Sequence, residues 1–213
     1  MPELIRLENY PRRDHFRYFA SLPNPHVGVT VNVDVTELAA ACRQADASFY
    51  LCVMHAVALA ADEVPQLRQR IHPDGILQYE QCPTSHIELL EDETYCYCTL
   101  HHHRPLKEYL QTAENARRAA RKKASIKEDA DVDSMYFISC LPWLHYTDFV
   151  QPTGNDSNPR FSWGKYEEDH HGRLMMPVTV LAHHAMVDGI HLAKFYEGLN
   201  RQIGLLASEL LAL

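Results

Sequence analysis

The segment "MPVTVLAHHAMVDGIHLAKFYEGL" at 176–199 combines an apolar strand, a polar turn and the start of a helix. Apolar residues run from Val178 to Ala182, which is typical of a buried strand. Two adjacent histidines, His183 and His184, end this strand, and an Asp-Gly pair follows four residues after the second one. Because a strand end leaves a side chain little freedom, one of the two histidines is a candidate to face a ligand.

Two interpretations of this turn are open. In the first, Asp188 caps the following helix, Gly189 relaxes the backbone, and the histidines are polar ends of a strand. In the second, one histidine is a general base, because a neutral imidazole is the side chain best suited to accept a proton near neutral pH. The turn by itself does not decide between them.

Hydrophobic periodicity predicts a mixed order of helices and strands around this segment. Helices are predicted at 13–21, from a capping Thr36 to about 44, at 49–64, from Pro105 to 124, and from Gly189 nearly to the C-terminus. Strands are predicted at 27–35, near 76–79, at 85–90, 94–102, 135–140 and 173–182, with a long surface loop at 147–161. Because the order lacks regular βαβ alternation, we expect a layered α/β sandwich with a mixed sheet rather than a doubly wound one.

Composition limits the class of protein. The chain has 213 residues, of which 46% are hydrophobic and 23% charged, so one domain over 1–213 with a full core is expected. A formal charge of −8 argues against a nucleic-acid surface. The sequence has no signal-like N-terminus and no apolar run approaching the ~18 residues of a membrane span, which favours a cytoplasmic protein with no membrane or nucleic-acid partner.

Other candidate sites are weaker. The six cysteines form no C-x-x-C pair and are expected to be buried reduced thiols. In "LHHHR" (100–104) a strand would place only His101 and His103 on one face, and no carboxylate or cysteine with ligand spacing accompanies them, so no metal site is expected. The basic run at 117–123 is interpreted as a solvated helix end, with phosphate attraction as the alternative.

Several short motifs occur in an order that resembles the chloramphenicol acetyltransferase family over nearly the whole chain. The matching segments are "YPRRDHFRYF" (10–19), "TVNVDVT" (30–36), "FYLCVMHAVALAADEVPQLRQRI" (49–71), "SCLPWLHYTDF" (139–149), "PRFSWGKY" (159–166) and "HHAMVDGIH" (183–191). The last segment fits the family's His-His-x-x-x-Asp-Gly pattern. One such motif would be weak, but several in the right order at similar spacing are a specific indication.

The resemblance implies a two-layer α/β subunit of the chloramphenicol acetyltransferase type that forms a homotrimer with active sites between subunits. It also implies an enzyme that uses acetyl-CoA and a small hydroxyl-bearing acceptor, with no metal. By resemblance, His184 is the general base, His183 is its structural neighbour, and Asp188 pairs with Arg12 to fix the turn rather than completing a triad. Transfer is then direct, with no acyl-enzyme.

The remaining site residues follow from the same resemblance. Tyr50, Ser162, Lys165 and Tyr166 match positions that meet coenzyme A. Phe19 and Val27 match positions in the acceptor pocket, and Thr147 and Asp148 match the segment that carries the donor of a hydrogen bond to the oxyanion.

Three positions depart from the family's pattern. Asp148 replaces a serine whose hydroxyl donates to the oxyanion, and an ionised carboxylate only accepts hydrogen bonds. Either Asp148 is turned away and Thr147 donates instead, or the reaction is slow or different. Val27 replaces an aromatic residue of the acceptor pocket, and Ser48 replaces a lysine near the coenzyme A phosphate.

Two other functions remain open. The acyltransferase core of 2-oxo acid dehydrogenase complexes has a related His-x-x-x-Asp-Gly pattern, although this chain has no lipoyl domain or Ala/Pro-rich linker. A trimeric binding protein with weak or no catalysis is the second alternative, and Asp148 is the residue that favours it.

Overall fold

The computed structural model describes residues 2–127 and 131–212. The helices are α1 (Arg13–Ala20), α2 (Thr36–Gln44), α3 (Phe49–Asp62), α4 (Leu106–Lys123) and α5 (Gly189–Leu211). The strands are β1 (Glu3–Ile5), β2 (His26–Asp34), β3 (Gln69–His72), β4 (Gly75–Gln78), β5 (Thr84–Leu89), β6 (Tyr95–Leu100), β7 (Tyr136–Leu141), β8 (Arg160–Gly164), β9 (Glu167–Glu168) and β10 (Leu174–His183).

The larger sheet has the strand order β2-β10-β8-β7-β5-β6, with β9 paired to β10. It is mixed, because β5, β7 and β8 run parallel while β10 is antiparallel to both β2 and β8. A smaller sheet has the order β1-β4-β3. The expectation of a mixed-sheet α/β sandwich is therefore confirmed.

The core lies between the larger sheet and the helices. Alternate strand residues such as Phe161, Trp163, Val178 and Val180 are buried with α2, α3 and α5 in one apolar cluster. The intervening residues face away from the helices, since successive strand side chains point to opposite faces. Within residues 2–127 and 131–212, none of the helices combines the length and the apolar character needed to span a bilayer.

The helices were predicted from their periodicity to within two residues at nearly every end, but several details differ. Thr36 is not a cap: its backbone N–H donates to Asp34 Oδ1 at 3.0 Å. The helix α3 instead has Ser48 as its cap, with the Ser48 hydroxyl accepting from the Leu51 N–H. The loop predicted at 147–161 ends at β8, a central strand that was missed because its five residues are all buried and show no alternation.

The histidine run at 101–103 also differs from its prediction. The strand β6 ends at Leu100, so alternation of faces does not apply to the histidines that follow. His102 and His103, rather than His101 and His103, lie together, and the Nε2 atoms of both contact the carboxylate of Asp62. That carboxylate is 40 residues away in the sequence from His102, which is why spacing alone did not indicate it.

Most of the candidate site residues lie at two ends of the larger sheet. Val178 of β10 pairs with Trp163 of β8, and the two strands are antiparallel. His183 is five residues past Val178, and Lys165 is two residues past Trp163 in the opposite direction. At about 3.3 Å per residue the two positions are roughly 20 Å apart along the sheet. We call them the histidine end (His183–Gly189 with Arg12 and Phe19) and the cavity end (Tyr50, Trp163, Lys165 and Tyr166).

Candidate active site

His184 lies in the turn between β10 and α5 and is held on two sides. Its Nδ1 is 2.8 Å from the carbonyl oxygen of Val187, so Nδ1 carries the proton and donates it to that oxygen. The ring of Phe19 stacks on the imidazole with centroids 3.7 Å apart and planes 16° apart. A neutral His184 in this tautomer keeps its lone pair on Nε2, which makes Nε2 a proton acceptor.

His183 has a different environment although it is the adjacent residue. Its side chain is buried against His26, with ring centroids 5.4 Å apart. Its Nδ1 accepts a hydrogen bond from the Ala185 N–H at 3.3 Å. Burial lowers the pKa of His183 to about 4, so this residue is neutral near pH 7. These contacts are those of a structural residue.

The turn is closed by Asp188, which makes two kinds of contact. As the cap of α5, Asp188 Oδ1 accepts from the Gly189 N–H at 2.7 Å, and Asp188 N–H donates to His191 Nδ1 at 2.9 Å. Its Oδ2 is 3.2 Å from Arg12 Nη2. The Gly189 N–H and the Arg12 guanidinium lower the pKa of Asp188 below its usual value. The helix cap and the ion pair with Arg12 therefore coexist, and neither contact reaches the His184 ring.

The two residues matched to the acceptor pocket occupy the same end. Phe19, near the C-terminus of α1, stacks on the His184 ring. Val27 is half-buried on β2 and pairs with Ala182 of β10. The adjacent pair of the two strands is His26 with His183. The Val27 side chain packs against the apolar core.

The cavity end contains an open cavity of about 610 Å³, within the usual size range of small-molecule sites. Aromatic rings of Phe49, Tyr50, Trp163 and Tyr166 line it together with the exposed Lys165. Tyr166 packs edge-on against Phe49 at 5.3 Å, and Tyr50 lies 5.7 Å from Trp163. A ring-lined cavity with the Lys165 cation at its rim can hold a flat heterocycle and an attached phosphate.

A charged cluster forms the inner wall of this cavity. Burial acts to raise the pKa of Glu88, but hydrogen bonds from His86 and Arg117 hold that pKa at about 2, so the carboxylate is ionised. Arg117 Nε donates to Glu88 at 2.5 Å, and Arg121 also contacts it. The Arg117 guanidinium lies 5.0 Å from the centre of the Tyr50 ring. The solvated helix end predicted at 117–123 is therefore wrong for Arg117 and Arg121, which turn inward, while Arg118 and Lys122 are exposed.

The other matched residues are Thr147, Asp148 and Ser162, which lie outside the larger cavity. Thr147 and Asp148 are exposed on the loop that follows β7, and Asp148 Oδ1 accepts from the Phe149 N–H at 2.8 Å. Asp148 borders a small cavity of about 250 Å³ with His26 and Thr179. Ser162 is buried in β8 opposite Thr179, outside the larger cavity that its neighbour Trp163 lines.

The matched residues thus form separate groups within one chain. Among the residues that the structure describes, no hydrogen bond or ring contact links His184 to Thr147, Asp148 or Lys165. Sequence reasoning missed Val187, whose carbonyl sets the tautomer of His184, and it missed Trp163, Arg117 and Glu88 in the cavity. No local signal marks a backbone carbonyl, whereas the tryptophan inside "PRFSWGKY" was visible in the matched motif.

Comparisons with known proteins agree on the class. A family model for chloramphenicol acetyltransferase matches residues 3–200. The chloramphenicol acetyltransferase of Bacillus pumilus is 25% identical over 201 residues, covering 91% of this chain and 90% of that protein. Chloramphenicol acetyltransferase 2 of Haemophilus influenzae is 26% identical over 202 residues, covering 92% and 94%.

Solved structures extend the same result to the fold. A chloramphenicol acetyltransferase structure superposes with a TM-score of 0.82 at 26% identity, over 95% of this chain and all (100%) of that one. A dihydrolipoamide acetyltransferase from Azotobacter vinelandii gives a TM-score of 0.69 at 17% identity, over 99% and 94%, and shares the fold alone. The fold and these likenesses define an enzyme of the acyltransferase class. The chain belongs to the chloramphenicol acetyltransferase family.

Proposed function

We propose that this enzyme transfers the acetyl group of acetyl-CoA to a hydroxyl of chloramphenicol or a related small alcohol, with His184 as the general base. The observation that carries the proposal is the hydrogen bond from His184 Nδ1 to the Val187 carbonyl, because it leaves Nε2 as the atom that accepts a proton. The relatives named as chloramphenicol acetyltransferases support the choice of acceptor.

In this reaction the alcohol oxygen attacks the thioester carbonyl while His184 Nε2 removes the hydroxyl proton. The new C–O bond converts the carbonyl into an oxyanion. Collapse of the oxyanion breaks the C–S bond, and the departing thiolate takes the proton from the imidazolium. The products are the acetyl ester and free CoA, and His184 returns to its neutral form without an acyl-enzyme.

Asp188 and Arg12 act as positioning residues in this proposal. Because Nδ1 of His184 is taken by the Val187 carbonyl, Asp188 has no part in a Ser-His-Asp type of relay. Its contacts with Arg12 and the start of α5 instead hold the turn that aims the imidazole. Loss of either partner is expected to loosen this turn.

The oxyanion requires a hydrogen-bond donor, and Thr147 is the proposed one. Asp148, at the position where the family carries a serine, directs Oδ1 to the backbone N–H of Phe149. A carboxylate cannot donate a hydrogen bond to the oxyanion, so the adjacent Thr147 hydroxyl is the donor that this segment offers, while the charge of Asp148 opposes the developing oxyanion.

The cavity end is the proposed site for coenzyme A. Tyr50, Trp163 and Tyr166 offer ring faces for the adenine, and Lys165 offers a cation for a phosphate. Ser162 was matched to the same group, but its buried position opposite Thr179 favours a role nearer the reacting thioester than the adenine. No resident metal is invoked in this chemistry.

A homotrimer with active sites between subunits is the proposed assembly. One argument is that the histidine end and the cavity end of one chain are roughly 20 Å apart along the sheet. This separation suits an active site built from the histidine end of one subunit and the cavity end of the next. The other is exposed apolar surface: Trp143 is 67% and Val150 78% exposed on the loop after β7, and β2 is an edge strand with Val29 39% exposed. Such a surface is normally covered by a partner.

The test is to mix the purified protein with acetyl-CoA, a panel of small alcohols that includes chloramphenicol, and a thiol reagent. Acetyl transfer releases free CoA, so the reagent signal should appear only when an acceptor is present. Release with no alcohol in the panel, while acetyl-CoA still binds, would favour the trimeric binding protein instead. Expression in a chloramphenicol-sensitive cytoplasm then measures whether the activity protects the cell.

A further inference from the structure

A cluster of metal-binding side chains lies outside the candidate active site. Asp62 is the last residue of α3, and His102 and His103 follow the end of β6. The Nε2 atoms of His102 and His103 are 2.7 Å and 2.6 Å from the same oxygen, Asp62 Oδ2. Tyr136 on β7 donates to the other oxygen, Oδ1, at 2.8 Å. Two imidazoles therefore converge on one carboxylate oxygen while a buried tyrosine fixes the second.

Two side chains of this cluster are buried and the third is accessible to solvent. The side chains of His102 and Asp62 are 1% and 9% exposed, whereas that of His103 is 37% exposed. The buried Nδ1 atoms of His102 and of the adjacent His55 lack hydrogen-bond partners within the described ranges. Because the Nδ1 of His102 has no partner there, it can carry the proton of the neutral ring and leave Nε2 as a ligand atom.

The cluster opens onto solvent through a groove of about 710 Å³ between the segment before α4 and the C-terminal half of α5. His102, His103, Gln202 and Glu209 line this groove. Arg104 and Glu209 both line the groove and carry opposite charges, so the preference for a cation comes from the Asp62 carboxylate and the two imidazoles themselves. An ion can therefore reach His103 without opening the core.

We propose that Asp62, His102 and His103 bind one Zn²⁺ per chain through Asp62 Oδ2 and the two imidazole Nε2 atoms, with a fourth position open to the groove. Zinc binds imidazole nitrogen and carboxylate oxygen at about 2.0–2.2 Å, so ligand atoms around a tetrahedral ion are roughly 3.4 Å apart. The three ligand atoms lie within 4.8 Å of one another. The two separations from imidazole to carboxylate, 2.7 and 2.6 Å, must each widen by less than about 1 Å, and His103 lies on an irregular segment that can move by this amount.

The surroundings match those of other metal sites. Ligating carboxylates are usually held by a second hydrogen bond, and Tyr136 supplies one to Asp62. A His₂-carboxylate set suits Zn²⁺ better than Mg²⁺ or Ca²⁺, which prefer oxygen ligands. The site would join the end of α3 to the segment before α4, and within the described residues no hydrogen bond or ring contact links its three ligands to His184. Its expected effect is on stability rather than on acetyl transfer.

The experiment is a zinc titration of the untagged full-length protein after treatment with a chelator, followed by calorimetry and by the melting temperature. We expect one equivalent of Zn²⁺ per chain and a Tm that rises with the zinc concentration. The variant H103A removes an accessible ligand and should weaken zinc binding at least tenfold, and Y136F should weaken it by roughly 10-fold through the carboxylate. Co²⁺ should give visible absorption bands in the wild type that H103A lacks.

Matched variants distinguish this site from surface histidines. H101A removes the neighbouring exposed imidazole, and the double variant H170A/H171A removes an adjacent pair whose rings are 3.9 Å apart. Both should bind zinc as the wild type does. The proposal is overturned if the wild type binds no zinc, or if H103A binds it as tightly as H101A while its far-ultraviolet circular dichroism is unchanged. In either case the cluster is only a hydrogen-bonded group that connects α3 to the chain before α4.

Discussion

The histidine end and the cavity end of the sheet differ in how tightly their polar atoms are fixed. At the histidine end, His184 Nδ1, Asp188 Oδ1 and Asp188 Oδ2 each have a partner at 2.7–3.2 Å. At the cavity end, rings surround an open volume of about 610 Å³, and the exposed Lys165 has no side-chain ion pair among the contacts of the described residues. The histidine end fixes the atoms proposed to react, whereas the cavity end, with the bonded Glu88 and Arg117 pair as its wall, offers mainly ring surface.

This difference follows from what each end is proposed to do. Proton transfer depends on the direction of one lone pair, so a small displacement of the imidazole is costly. Binding a large, flexible donor depends on many weak contacts, so no single side chain is decisive. Substitutions at the histidine end should therefore reduce the rate, and substitutions at the cavity end should mainly change the KM for acetyl-CoA.

The largest effect is expected for His184→Gln. This substitution keeps a polar side chain but removes the base, and general-base catalysis typically contributes 10²–10⁴ in rate. We expect kcat for acetyl transfer to fall by about that factor while the KM for acetyl-CoA stays close to the wild-type value. Steady-state kinetics with the thiol reagent measures both constants.

The matched control is His183→Gln at the adjacent position. Burial keeps the pKa of His183 at about 4, so His183 is neutral from about pH 5 upward and has no proton to exchange in that range. The control should retain most of the activity and the same pH profile above pH 5. Equal loss of activity in both variants, with both still folded, would mean that the wrong histidine was assigned as the base.

The next effect concerns Asp148, on the loop that leaves the cavity end and returns toward the histidine end. If its carboxylate lies near the oxyanion in the assembled enzyme, Asp148→Ser should raise kcat/KM for chloramphenicol by up to about 10²–10³, the usual value of one oxyanion donor. Asp148→Ala removes the charge without adding a donor, and so separates repulsion from donation. Unchanged kinetics for both variants on every acceptor would remove Asp148 from the active site.

The sequence predicted the histidine end better than the cavity end, and the reason is physical. The turn at 183–189 is local, so its strand, its cap at Asp188 and its histidines appear within seven consecutive residues. The predicted contact of Asp188 with Arg12 spans 176 residues and rests on the family resemblance alone. The Val187 carbonyl has no side-chain signal at all.

The cavity end depends on contacts between distant segments. Arg117 turns inward because Glu88 lies on β5, 29 residues earlier, and a helical pattern cannot report that partner. Strand β8 was missed because "RFSWG" is short and buried on both faces, which removes the alternation that marks a strand. The cluster of Asp62 with His102 and His103 was missed for the same reason as Arg117: its carboxylate comes from another element.

A smaller loss is expected when the turn is loosened without removing the base. Asp188→Asn and Arg12→Ala should each lower kcat/KM by roughly 10- to 100-fold, since a small misplacement of the imidazole has effects of that size. Because both variants break one ion pair, the double variant should be little worse than either alone. Arg13→Ala, which removes an exposed neighbouring arginine, is the control. Fully additive losses would show that Asp188 and Arg12 act separately.

The smallest effect is expected at the rim of the cavity. Lys165→Met keeps the length of the side chain and removes its charge, and an exposed charge contact contributes up to about 1 kcal/mol. The KM for acetyl-CoA should therefore rise roughly two- to fivefold with kcat unchanged, and the difference from the wild type should shrink at high salt because the contact is screened. Lys107→Met removes an exposed lysine on α4 that does not line this cavity, and it should leave KM unaffected. A fall in kcat for Lys165→Met would contradict the assignment of surface binding to this end, because the lysine would then act on the reacting atoms.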